Sequence, residues 1–186
     1  FHDFKQMNTT MSDMAVASWA ASFNIGNVAQ PVRVEGAFVT PNFFSLLGTP
    51  AIAGELPQTG GSKSVVLSHS LWQRSFGGDP KAVGRDTRLN GENYRIAAVL
   101  PHDFAFPQNA ELWVPFDLKP DNLGHRAYHQ YQVIGRLKPG VTLDQAKADV
   151  ARIATRLGEM YPETTKGIGA TVITLRENLA GDTRRA

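Results

Sequence analysis

The stretch "LSHSLWQRSFGGDPKAVGRDTRLNG", Leu67–Gly91, constrains the fold more than any other part of the chain, because its punctuation leaves room only for short elements. The preceding "SVVL" reads as a short buried strand. Ser68 stands where a helix N-cap belongs, and a helix from His69 to Phe76 would place Leu71, Trp72 and Phe76 on one side. Gly77 supplies the left-handed residue that ends such a helix. Asp79-Pro80 then caps and starts a further turn, "PKAVG". Asn90-Gly91 accepts positive φ at both central positions of a tight turn, so "TRLNGENYRIAAVLP" is a hairpin. Tyr94, Ile96, Ala98 and Leu100 alternate beyond it. These residues shape a rigid backbone, and none of them is asked to do chemistry.

The remaining elements are read in the same way. Phe1, Phe4, Met7 and Met11, spaced by three and four, predict a short amphipathic helix. Met14–Ile25, "MAVASWAASFNI", predicts one strand bounded by Gly26 and Asn27. Pro31–Thr40 alternates Val32, Val34, Gly36 and Phe38 against Arg33, Glu35, Ala37 and Val39, as a half-buried strand does. In "TPNFFSLLG", Thr40 is expected to cap a short helix, Pro41 to fill its first position and Gly48 to lie just past its end. Gly54–Ser64 is a Gly-, Pro- and Ser-rich loop, taken as a subdomain boundary. "HDFAFPQNAELWVPFDL" is expected to be an ordered loop packed by Phe104, Phe106, Trp113 and Phe116.

In the last third, Tyr131–Leu137 reads as a strand and Pro139-Gly140 as a turn. Thr142 and Gln145 have the spacing of a capping box. Ala146, Val150, Ile153, Ala154, Leu157, Met160 and Tyr161 then form one helical stripe, stopped by Tyr161-Pro162. Gly169–Leu175, "GATVITL", is expected to be a second strand, completing a strand–helix–strand unit.

Composition narrows the function classes. Of 186 residues, 42% are hydrophobic and 19% charged, which suits a packed core and not a disordered chain. The net charge is only +2 and Lys and Arg form no stripe, so no nucleic-acid partner is expected. The absence of cysteine excludes a disulfide framework and any thiolate metal site. No stretch approaches the ~20 apolar residues of a membrane span. With Phe as the first residue, the chain is expected to be a piece of a longer protein.

Candidate chemistry is sparse. His125 and His129 in "HRAYH" have the i, i+4 spacing of a helical metal pair, but no Glu or third ligand accompanies them. His102-Asp103 lacks a serine in an elbow setting and lacks any cysteine, so a loop turn fits better. "SFGGDPKAVG" departs from a phosphate loop, because Lys81 follows Pro80 and no Ser or Thr follows it. The carboxylates Glu35, Glu55, Glu92 and Glu111 fall on separate elements. Trp19, Trp72 and Trp113 fit core positions better than a pocket lining. Arg176, Arg184 and Arg185 would meet lipid headgroups or solvent equally well. No catalytic, cofactor-binding or metal residue is assigned, no cofactor is expected, and ligand or partner residues stay unassigned.

The order of "VEGAFVTPNFFSLLGTPAIAGE", "VVLSHSLWQRSFGGDPKAVGRDTRLNGENYRIAAVLPHDFAFP", "ELWVPFDL" and "GRLKPGVTLDQAKADVARIATRLGEMYP" resembles the MacB-like periplasmic core domain of ABC-transporter permeases in the FtsX-like group. The likeness is nearest to the duplicated-permease subfamily of acidobacteria and related soil bacteria, and it spans nearly the whole chain. It implies an α+β fold with a porter-like, βαβ-containing subdomain formed by both ends of the chain, residues 1–62 and 126–186. A small mixed α/β subdomain, residues 63–125, would be inserted between them, with the connector Lys119–Tyr128 at its far side.

The resemblance also implies a location outside the inner membrane, facing the periplasm, and a non-catalytic role. Movement of the parent permease's transmembrane helices, driven by a separate cytoplasmic ATPase, would pass to an adaptor protein or to cargo. Two other functions compete with it. One is a ligand-binding sensor with a cleft between the subdomains; the other is a hydrolase using His102, Asp103, His125 and His129.

Overall fold

The computed structural model describes residues 1–26, 32–107, 109–118, 131–165 and 167–183. In chain order the elements are α1 (His2–Met7), β1 (Met11–Ser18), β2 (Ala21–Gly26), β3 (Val32–Val39), α2 (Phe43–Leu47), β4 (Ala53–Gly54), β5 (Ser64–Leu67) and α3 (His69–Phe76). Then come a 3-10 turn (Pro80–Ala82), β6 (Asp86–Leu89), β7 (Glu92–Val99), β8 (Leu112–Pro115), β9 (Tyr131–Leu137), α4 (Leu143–Met160), α5 (Pro162–Thr165) and α6 (Leu175–Thr183). The fold is α+β.

Compactness divides the chain into two units, with limits inside β1 and β9. One holds Ala15–Lys119 and the start of β9; the other holds Phe1–Met14 and Gly135–Ala186. These limits differ from those the resemblance implies. Residues 63–118 share a sheet and apolar clusters with residues 15–62.

In the first unit, six strands close a hydrogen-bonded circuit. The order runs β2-β6-β7-β5-β8-β3, and β3 pairs back onto β2. Alternation sorts the side chains. Phe23 and Ile25 of β2, Val34 of β3, Val65 and Leu67 of β5, Leu89 of β6, Ile96 of β7, and Leu112 and Val114 of β8 form one cluster. Contributed by every strand of the circuit, this cluster fills the barrel, as side chains fill small barrels generally. Leu71, Trp72 and Phe76 of α3 pack on the same cluster. The opposite faces, through Ala37, Val39, Val66 and Trp113, pack against Phe43, Phe44 and Leu46 of α2.

The turn chemistry expected for Leu67–Gly91 is present. Ser68 Oγ accepts the Leu71 amide at 3.1 Å, Gly77 is left-handed, and the Asp79 carboxylate accepts the Lys81 amide at 2.9 Å. Asn90 and Gly91, at φ 52° and 86°, join β6 to β7.

Four local expectations in the first unit need correction. The single strand expected over Met14–Ile25 is two strands. Both lie antiparallel to β3, but the register slips by one residue between Ala17↔Val39 and Ala21↔Gly36. The slip is a bulge, closed where Ser18 Oγ accepts the Phe38 amide at 2.9 Å and donates to the Trp19 carbonyl at 2.8 Å. A second slip falls in β7. Val65 faces Ile96 but Val66 faces Ala98, so the alternation through Ala98 and Leu100 continues on the other face. There Gly54 comes so close to the Ala97 carbonyl that a Cβ would overlap it.

Thr40 does not cap α2. Its hydroxyl accepts the β1 amide of Val16 at 3.0 Å, and Asn42 holds the cap position. Trp113, expected in a loop, lies at the centre of strand β8 and is fully buried.

In the second unit, α4 starts at the expected capping box, with both Thr142–Gln145 hydrogen bonds made. It buries Ala146, Asp149, Val150, Ile153, Ala154 and Leu157. Val150 packs with Met11, Met14, Phe1 and Phe4. Met160, expected in the stripe, is exposed.

The second strand of the expected βαβ unit is not formed. Burial does alternate: Ala170 and Val172 are half-buried, while Thr171 and Ile173 are exposed. Among the described residues, however, no strand offers this segment a ladder. Its end is taken by a helix start instead. The Thr174 amide and hydroxyl donate to the Glu177 carboxylate at 2.9 and 3.0 Å, and the Glu177 amide donates to Thr174 Oγ1 at 3.1 Å. These hydrogen bonds lower the Glu177 pKa.

Candidate functional site

Two histidines do meet, though not the pair with metal spacing. His69, first in α3, and His102, after β7, have ring centroids 5.4 Å apart, with the Trp72 indole 5.6 Å from His69. Two imidazoles fall short of a structural metal site. Among the described residues no three His, Cys, Asp or Glu side chains gather as a metal set. Asp103 follows His102 in the loop. His125 and His129 lie outside the described residues, as do Lys119–Tyr128, Arg184 and Arg185; Arg176 lies exposed in the first turn of α6.

The other sequence candidates are placed singly. Glu35 accepts the Ser22 hydroxyl at 2.7 Å, Glu92 faces Lys63 at 3.4 Å, and Glu111 takes both Arg74 guanidinium bonds, at 2.9 and 3.0 Å. Glu55 follows β4, where its amide donates to the Ala97 carbonyl at 3.1 Å. The Gly-Gly turn is wrapped on α3, for the Trp72 indole N–H donates to the Asp79 carbonyl at 3.0 Å. Asp79 also faces Arg85 at 3.2 Å, so an acid stands where a phosphate loop needs donors. The tryptophans do not share a cleft: Trp113 is buried, Trp72 lies half-buried on α3, and Trp19 is half exposed at the β1–β2 bulge.

The most organised polar site is one that sequence reasoning missed. Asp149, on α4, is 7% exposed. Its Oδ2 accepts the Thr9 amide at 2.7 Å and the Thr9 and Thr10 hydroxyls at 3.1 Å each. Its Oδ1 accepts Arg152 at 2.6 Å. Burial raises the carboxyl pKa, but the Thr9 amide, Arg152 and the threonine hydroxyls outweigh it and hold the group at about 2. Arg152 also donates to the Met7 carbonyl at 3.2 Å, and Lys138 Nζ to the Thr9 carbonyl at 2.8 Å. The one sequence signal was a carboxylate inside the apolar stripe of α4; its partners are about 140 residues away in sequence.

Beside α4, an open groove of ≈ 400 Å³ is lined by small residues, including Ala154, Gly158, Gly167 and Ala170. Neither site holds a nucleophile paired with a base. The polar site is acceptor and donors already matched, which suits holding two segments together and leaves no proton to transfer.

Solved structures of permease and transporter domains share this fold. The chain is similar to a domain of a putative permease protein from Porphyromonas gingivalis, at 16% identity and TM-score 0.65, covering 96% of this chain and 83% of that one. It is similar to the extracellular domain of the noncanonic ABC-type transporter YknZ from Gram-positive bacteria, at 15% identity and TM-score 0.63, covering 88% and 85%. It is also similar to the periplasmic region of MacB from Actinobacillus actinomycetemcomitans, at 12% identity and TM-score 0.63, covering 100% and 82%. Residues 3–153 match the MacB-like periplasmic core domain, and the chain belongs to that family. No curated protein matches it. The family is an extracytoplasmic component of ABC-type permeases and not a catalytic domain. No helix among the described residues is long and apolar enough to cross a membrane.

Proposed function

We propose that this domain is a non-catalytic extracytoplasmic module that passes movement of a permease's transmembrane helices to a partner or cargo outside the inner membrane. Membership of the MacB-like periplasmic core domain family carries this reading. The filled barrel supports it, since a rigid body transmits displacement and a filled core leaves no room for substrate. In this reading the parent permease anchors the domain, a separate cytoplasmic ATPase drives it, and an adaptor or a cargo molecule receives the movement.

The test is made on the full permease with its ATPase in lipid. The domain has no cysteine, so paired spin labels can be placed freely. ATP is expected to shift the distance between a label on the domain and one at the membrane surface. No shift through the cycle, or tight ATP binding by the domain itself, would remove the reading.

The division into a porter-like part, 1–62 with 126–186, and an insert, 63–125, enters only as a proposal about which segments shift together. It is a demanding one, because β3 and β8, one from each part, share the ladder from Gly36↔Leu112 to Val39↔Pro115. Labels on these two strands decide it: a distance that stays fixed through the cycle counts against the division.

A further inference from the structure

The junction between α1 and β1 is tied to α4 by far more than packing. Most polar groups of the turn after α1 are held. The Met7 carbonyl accepts Arg152, and the Thr9 amide and hydroxyl donate to Asp149. The Thr9 carbonyl accepts Lys138 Nζ, the Thr10 hydroxyl donates to Asp149, and the Thr10 carbonyl accepts the Lys138 amide at 2.9 Å. Within the turn, the Asn8 side chain accepts the Met11 amide at 2.9 Å and donates to the Lys5 carbonyl at 3.0 Å.

A loop that only connects two elements leaves such groups to water. Here a buried carboxylate has been placed on α4 to meet them, at a desolvation cost that ordinary connection does not require. Charge-assisted bonds of this kind are short and directional, so they resist displacement as well as separation. Hydrophobic contact alone, as between Phe4 and Val150 in the same cluster, lets surfaces slide.

We propose that Asp149, with Arg152 and Lys138, makes the Met7–Thr10 turn a rigid joint, through which displacement of α1 reaches α4 undiminished. This rests on the movement-passing reading above and names the segment that carries the movement. Asp149 is a positioning residue: it acts by holding α1 and α4 in one body.

The joint is tested first in the isolated chain, independently of transport. Spin labels at His2→Cys on α1 and Glu159→Cys on α4 are expected to give one narrow distance distribution. Asp149→Asn is expected to broaden it and to speed exchange of the Thr9 amide about tenfold or more, while amides of β5 and β7 keep their protection. If Asp149→Asn does not fold, Thr10→Val, which removes one donor of nearly equal volume, is expected to show the same effects more weakly. A broad distribution in the unmodified background, or Thr9 exchange unmoved by either variant, overturns the joint.

The same label pair is then followed in the full permease during ATP turnover. A fixed α1–α4 distance while the domain moves relative to the membrane supports the joint as the path of movement. An α1–α4 distance that changes with nucleotide overturns it, because the turn is then a hinge. If the domain does not move at all, the functional reading fails and the path fails with it, while the isolated-chain result identifies the joint as purely structural.

Discussion

In the barrel, each strand of the circuit has hydrogen-bonded neighbours on both sides, and Trp113, Ile96 and Leu112 are sealed from water. In the unit built on α4, the most organised contact is one carboxylate on a turn, and residues 169–173 make no backbone hydrogen bonds among the described residues. The barrel combines a closed hydrogen-bonded ladder with many small apolar contacts that share any loss. The α4 unit depends on a few directional ones. Damage to the first should therefore be graded by volume, and damage to the second by charge.

Trp113→Ala tests the first half of that contrast and carries the largest expected effect among the side-chain truncations. The indole packs on Phe44 and Phe104 at centroid distances of 6.0 and 5.4 Å, and its N–H donates to the Phe106 carbonyl at 2.9 Å. Truncation is expected to cost about 4 kcal/mol by chemical denaturation. A cost under about 1 kcal/mol would mean that the α2 side of the barrel is not a sealed core.

Asp149→Ala tests the second half, with an expected loss of about 3 kcal/mol at neutral pH, since it removes the acceptor of the Thr9 amide and of the Thr9 and Thr10 hydroxyls and leaves Arg152 only the Met7 carbonyl. The pH dependence sharpens the assignment. The carboxyl is lowered from 3.8 to about 2, so its contribution is whole above the unfolded value and is lost as pH falls through the folded one. Between about pH 5 and pH 2 the unmodified chain is expected to lose about 2 kcal/mol from this group, a loss that the alanine variant lacks. Parallel acid titrations of the two would mean that Asp149 carries no such charge-linked stability.

Legibility in the sequence follows the same contrast. Ser68, Gly77, Asp79 and Asn90-Gly91 were readable because a cap or tight turn is decided by residues a few positions apart. The bulges at Ser18–Ala20 and Ala97 were not, because a register slip is a relation between strands: Tyr94, Ile96, Ala98 and Leu100 alternate unbroken in the sequence while the bulge turns Ala98 and Leu100 to the other face. Gly169–Leu175 shows the limit most plainly. Its period-two pattern was real and places Ala170 and Val172 inward, but a strand also needs a neighbour, which no periodicity can supply. The Thr174–Glu177 pair was a readable helix start within the same letters. Asp149 was half legible: a carboxylate in an apolar stripe announces a buried partner, and only the fold says that Thr9 and Thr10 provide it.

Gly91→Ala is expected to cost about 1 kcal/mol, because φ is 86° there and an added Cβ meets strain even though open space surrounds it. Glu111→Gln is expected to cost under about 1 kcal/mol, since Arg74 is half exposed and its charge is met by water as well. A large loss at Glu111 would show that the barrel too leans on charge, and would blur the contrast.

The smallest effect should come from proline in the segment that failed to become a strand. Proline removes an amide donor, which matters only where that amide is bonded in a ladder. In β3, Ala37 lies between β1 and β8 with no exposed edge, so Ala37→Pro is expected to abolish folding. Among the described residues Thr171 has no ladder partner, so Thr171→Pro is expected to shift stability by no more than about 0.5 kcal/mol. Denaturation curves of the two variants, run side by side, measure the difference between a pattern and a paired strand. If Thr171→Pro were as harmful as a ladder substitution, residues 169–173 would have a backbone partner in solution, and the α4 unit would be held by a sheet as the barrel is.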